Sequence, residues 1–160
     1  MRSYQVFAAM SPERASVLLR TLQEKAPAMF AQAVAAASAA MKARPVYLSR
    51  QPFEKRAQEV RRALARVAAN PVAEELLAVY FLDCRKELLV EWLDTLGLEH
   101  EDGTLRADAP PPPPDAELTR AVQSFRDKDA DVDRELLLRA FAAQSAIDWP
   151  GLEVHLAGGG

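Results

Sequence analysis

Apolar positions recur along this chain at the three-to-four-residue spacing of helices, and six stretches carry that period. The most apolar of them lies between Asn70 and Gly97. Asn70 and Pro71 supply an N-cap and a first-turn proline, Glu74 and Glu75 favour the positive end of the dipole, and Gly97 suits a left-handed end. Leu76, Leu77, Tyr80, Phe81, Leu88 and Trp92 are among the large groups spread round most of its circumference. A surface helix has one apolar stripe, so this run predicts one long helix over 71–96, packed on more than one side.

Ser11-Pro12-Glu13 opens a helix that ends near Lys25, with Ala15, Leu18, Leu19 and Leu22 on one face. Pro27 opens a second to about Lys42, in a stretch where ten of residues 26–43 are alanine, the best helix former. Arg44-Pro45 stops it, and Val46-Tyr47-Leu48 is expected as a brief extended link. A third helix is predicted from Pro52 to about Ala69, with Phe53, Ala57, Val60, Leu64 and Val67 or Ala68 inward. The near-absence of a loop before Asn70 predicts an antiparallel hairpin with the fourth helix, 71–96. The fifth covers 116–126 behind an Asp115 cap, and the sixth about 131–145, with Leu137, Ala140 and Phe141 inward.

Between the fourth and fifth helices, Asp102-Gly103 marks a turn across which 98–100 and 104–106 are expected to pair as a tiny hairpin. Pro110 to Pro114 form an extended polyproline spacer of about 15 Å. Residues 2–8 and the alternating Leu152–Leu156 are expected to be extended. The fold class that follows is mostly α, about six helices centred on 71–96, with at most a minor β element. It is expected as a single domain over 1–157. The main bundle is 11–97, the loop and spacer 98–115, the C-terminal helical pair 116–146 and the extended tail 147–160.

Length and composition change this picture little. One hundred and sixty residues suit one domain with a core that needs no staple. The single cysteine, Cys84, forms no internal bridge and is expected as a small buried hydrophobe. The longest apolar runs are interrupted by charge short of a membrane span, and no secretory signal is seen, so a soluble cytoplasmic protein is expected. Richness in Ala, Arg and Pro suggests a GC-rich bacterial genome.

Charge changes the picture more. Residues 1–66 carry twelve basic and four acidic side chains, a net +8, and residues 67–160 carry eight and nineteen, a net −11. The basic excess concentrates in 42–66, where Arg50, Lys55, Arg56, Arg62 and Arg66 mark a candidate interaction surface. Lys55, Arg62 and Arg66 are expected on one helical face. Asp83, Glu87, Glu91 and Asp94 fall on one side of the fourth helix, where they would face the basic stripe if the two helices form a hairpin.

Candidate chemistry is sparse. Asp127, Asp129 and Asp131 match the first ligand positions of a calcium loop, but Val132 and Leu138 stand where its glycine and bidentate glutamate belong. These acids are therefore expected as an acidic loop and helix start. His100 is expected as a solvated loop residue. No Glu-x-x-His, His-Glu-x-x-His, Cys-x-x-Cys, nucleophile elbow or phosphate loop is present, so no catalytic, cofactor or metal residue is assigned. The leading expectation is a non-enzymatic helical interaction or scaffold protein, with a protein partner or self-association. The first alternative is a nucleic-acid-associated regulator using 42–66, and the second an enzyme or metal protein with a site near His100.

Overall fold

A computed structural model describes residues 1–157 and is mostly helical, with ten helices and one two-stranded ladder among the described residues. Its internal contacts divide the chain into two compact units, Arg2–Cys84 and a second that runs from Arg85 onward. The division falls inside the stretch expected as one helix.

The first unit holds α1 (Ser3–Ala9), α2 (Pro12–Lys25), α3 (Pro27–Ala40), α4 (Pro45–Ser49), α5 (Phe53–Leu64) and α6 (Asn70–Val79). Ser11 caps α2 through its hydroxyl, which accepts the Arg14 N–H, and Pro12 takes the first turn. The four expected inward residues of α2 are all buried. Small residues let neighbours approach α3, whose Ala33 and Ala37 are fully buried with Phe30 and Val34 on the same side. Two expectations of extended chain fail here. Residues 3–9 are helical and bury Val6 and Phe7, and 45–49 are helical because Pro45 suits a first turn and only Leu48 needs burial.

The third predicted helix is also shorter than expected. It leaves the helical path after Leu64, and Val67–Ala69 form a single 3-10 turn, so Val67 is exposed and not in the core. Its closest neighbours are α3 and α2, and the expected hairpin with the following helix is a minor contact.

The predicted helix over 71–96 is not continuous. After α6 the chain widens into a π-helical turn at Tyr80–Cys84, leaves helical geometry at Arg85 (φ −135°, ψ 44°), and restarts as α7 (Lys86–Leu96). On an ideal wheel, the buried positions before the break (Ala73, Leu76, Leu77, Tyr80) are rotated by roughly 140° from those after it (Leu88, Leu89, Trp92, Leu93). Two half-length helices, each with one apolar stripe, thus produced the run that looked apolar all round.

The second unit continues with a hairpin of β1 (His100–Glu101) and β2 (Thr104–Leu105), then α8 (Asp115–Asp127), α9 (Asp133–Ala143) and α10 (Pro150–Ala157). The hairpin forms where expected, His100 opposite Leu105, with Asp102 and Gly103 both at positive φ as a two-residue primed turn demands. The expected strand at 152–156 is instead α10. Pro150 starts it, and Leu152 and Leu156, four apart, are its buried side. The segment belonging to the expected tail at 158–160 lies outside the described residues. Trp92 lies at the centre of the second core, 5.2 Å from Phe125 and 5.8 Å from Phe141, which meets Trp149 at 5.3 Å. The Trp149 indole donates to the Pro110 carbonyl at 2.9 Å and so fastens the start of the proline run to this core.

Gly97 closes α7 at φ 69°, with the Leu98 N–H donating to Leu93 O and the Gly97 N–H to Asp94 O, a Schellman end. A Cβ placed there meets nothing within 4 Å. Gly97→Ala is therefore expected to lower stability by only the backbone cost, about 1–2 kcal/mol, in urea unfolding.

Candidate functional site

Two surfaces concentrate charge, one in each unit. The first unit carries twelve basic against seven acidic side chains, a net +5, and residues 85–160 carry eight against sixteen, a net −8.

In the first unit, α4 and α5 display the basic segment. Arg50 lies at the end of α4 and Lys55 on α5, both exposed. Arg62 is exposed and pairs with Glu59 one turn back at 3.1 Å. Arg66 follows the end of α5, so it does not continue the helical stripe of Lys55 and Arg62. Arg56 is different in kind. It is half-buried, its guanidinium stands 5.5 Å from the rings of both Phe30 and Phe53, and Nη1 donates to Ser49 O. It glues α3, α4 and α5 together and offers little to a partner. Of the two acids in 42–66, Glu54 accepts from Ser16 and Arg20, and Glu59 pairs with Arg62. Among the described residues, Lys42, Arg44, Arg50, Lys55 and Arg66 make no ion pair.

Between these cations stand two apolar side chains that the sequence did not single out, Val46 and Tyr47, 51% and 48% exposed. A five-residue helix that buries only Leu48 leaves them in solvent. The pattern Arg-Pro-Val-Tyr-Leu-Ser-Arg was the available signal, because the proline start puts Val46 and Tyr47 on the turn away from Leu48.

In the second unit, acids and guanidinium groups interlock. Arg85, freed by the helix break, binds Asp131 at 2.6 Å, Asp133 at 2.5 Å and Glu87 at 2.7 Å. Arg134 at the start of α9 grips Asp129 with two bonds at 2.7 and 3.0 Å, reaches Glu91 at 3.0 Å and Phe125 O at 3.3 Å, and stacks 4.8 Å over the Phe125 ring. Lys128 also pairs with Glu91. The hydrogen bonds from Arg134 hold the Asp129 carboxyl down at about 2, and Arg85 similarly holds Asp131 below the usual range. Burial pushes Glu91 upward, but the bonds from Lys128 and Arg134 outweigh it and leave the carboxyl low.

This network answers two sequence expectations. The acids of 127–135 form the expected loop and helix start, but Asp129, Asp131, Asp133 and Glu135 are bound to arginines and not merely solvated. The acids of α7 find partners within their own unit, in Arg85, Lys128, Arg134 and His100. His100 likewise is no free loop residue. Its Nε2 is 2.7 Å from Asp94 Oδ1 and its Nδ1 accepts the Gly103 N–H at 3.1 Å, so it braces the hairpin. Cys84 is buried, and desolvation first of all pushes its thiol up.

Beside the network, α7 and α8 border an open groove of about 650 Å³. Val90 and Phe125 supply its apolar surface, and Glu87, Glu91, Asp94 and Lys128 its charged rim. Among the described residues there is no group of three or more metal-ligating side chains, and no helix is long and apolar enough to cross a membrane. No protein-family model matches the chain, and no curated protein or solved structure matches it.

Proposed function

We propose that this protein works by binding and not by catalysis, as a helical interaction protein whose basic segment engages an acidic surface of a protein partner. The observation that carries the reading is five exposed cations without ion pairs, Lys42, Arg44, Arg50, Lys55 and Arg66, the first three of which flank the exposed Val46 and Tyr47 along the chain. Cations already paired inside a protein lose a partner when they bind another, whereas these do not. Tyr and Arg are the side chains that most often dominate binding energy when an interface excludes water. Opposite charge on the partner speeds encounter and selects orientation. A second reading uses the same groups, with Tyr47 stacking on a base and the cations tracking phosphates.

A labelled poly-glutamate peptide and a single-stranded oligonucleotide of equal charge separate the two by fluorescence anisotropy. The expected result is binding of the peptide that weakens about threefold to a hundredfold in Arg50→Glu/Lys55→Glu/Arg66→Glu, at about 0.2–1 kcal/mol for each exposed pair lost. Preference for the oligonucleotide would replace the protein-partner reading with the nucleic-acid one. Indifference of both probes to the triple variant would remove the basic segment as a binding surface.

A further inference from the structure

The two charged surfaces are complementary in more than sign. The α4 surface is an apolar tip, Val46 and Tyr47, flanked along the chain by the unpaired cations Lys42, Arg44 and Arg50. The α7–α8 groove inverts this arrangement, with an apolar lining of Val90 and Phe125 beneath a mostly acidic rim. We infer that the acidic partner is a second copy of this chain, whose α7–α8 groove receives the Tyr47 tip of the first. This rests on the reading of the basic segment as a protein-binding surface and names its partner.

The lining of the groove is acidic, with Glu87, Glu91 and Asp94 against Lys128. Glu87 and Asp94 are both exposed at the rim. Lys128 is the cation of that lining, and its ammonium is already bonded to Glu91. The surface that would approach contains no acid between Met41 and Phe53. An unpaired positive face meeting a partly compensated negative one loses few existing bonds and gains new ones, which is the condition for net attraction. The tip supplies Tyr and Arg, and the open groove offers the Val90 side chain among its acids.

Because the tip and the groove are different surfaces, the contact joins copies either reciprocally in a two-fold dimer or serially in a chain. Both forms share one signature: the assembly depends on two separate patches, and a change in either abolishes it.

Light scattering on the full chain across protein concentration, at low and high salt, tests the inference. Three variants accompany the wild type. Arg50→Glu/Lys55→Glu reverses the tip, and Glu87→Lys/Asp94→Lys reverses the rim. Thr95→Lys/Ser124→Lys adds positive charge to the groove wall without removing an acid, so it does not depend on the fold tolerating loss of the Arg85 or His100 partners. The expected result is a mass that grows with concentration at low salt and returns to one chain at high salt, or in any of the three variants. Mixing the tip-reversed and rim-reversed proteins then restores assembly, since each now carries the charge that the other lacks. A wild type that stays at one chain throughout overturns the inference. So does an assembly that survives the groove-wall variant. If poly-glutamate still binds the basic segment while the chain remains a single copy, only the self-docking fails and the partner is another acidic protein. If neither occurs, the interaction reading falls with it.

Discussion

Trp92→Ala is expected to remove most of the stability of the unit that follows Arg85. Trp92 is fully buried on α7 and meets Phe125 and Phe141 at ring distances of 5.2 and 5.8 Å. Truncating a buried tryptophan to alanine costs about 3–5 kcal/mol, the lost burial plus the cavity left behind. A unit of this length holds about 4–11 kcal/mol in all, at roughly 0.05–0.15 kcal/mol per residue. The midpoint of thermal unfolding should therefore fall by about 15 °C or more. Both tryptophans lie in this unit, so tryptophan fluorescence, excited where tyrosine does not absorb, reports on it alone, and Trp149 remains as the probe in the variant. The indole N–H of Trp92 finds no acceptor among the described residues. Trp92→Phe therefore removes an unsatisfied donor while keeping most of the ring contacts, and its loss should be under about 1.5 kcal/mol. Equal losses in the two variants would show that the indole, and not the packed ring, carries the stability.

How much of this was legible in the sequence depends on where each element takes its instructions. Ser11-Pro12, Pro27, Asp102-Gly103 and Gly97 act on their own neighbours, and each start, turn or stop appears where those residues predict it. The exit from α5 after Leu64 was hidden, because Ala65 to Ala69 are mostly good helix formers with no glycine or proline among them. The break at Arg85 was hidden for a different reason. Its guanidinium is drawn to Asp131 and Asp133, more than forty residues further on, and no local pattern reports a partner at that distance. The candidate site was legible as charge and not as shape. The basic excess of 42–66 is plain in the sequence, whereas the exposure of Val46 and Tyr47 needed the short helix α4. The withdrawal of Arg56 into an aromatic stack needed the packing of Phe30 against Phe53. The acids of α7 looked like the complement of that stripe, whereas the cations that hold Glu91 come from the end of α8 and from α9.

One of those cations, Arg134, sets the second large effect. Arg134→Met should destabilise the same unit by about 2–3 kcal/mol at neutral pH. Breaking a buried charged pair costs about 3–5 kcal/mol, and the figure is reduced here because water reaches the partners, Asp129 being 52% exposed. Arg134 itself is 5% exposed, so methionine fills the space and keeps the aliphatic contacts while the charge and the two-pronged grip are lost. Arg134→Lys keeps the charge without the fork and should fall between the two. The effect must also depend on pH, and the sign follows from the carboxylates. Arg134 holds Asp129 and Glu91 below their ordinary values, so the folded unit binds protons less readily there than the unfolded chain does. Their contribution is whole above about pH 5, shrinks as the unfolded carboxylates begin to take up protons near about pH 4, and is gone once Asp129 itself is protonated near about pH 2. Unfolding free energies of wild type and Arg134→Met, measured by urea titration with tryptophan fluorescence, should accordingly converge as the pH is lowered from 7 toward 2.5. A gap that stays constant over that range would mean that Arg134 acts through its packing on Phe125, and that its grip on Asp129 and Glu91 adds nothing to stability.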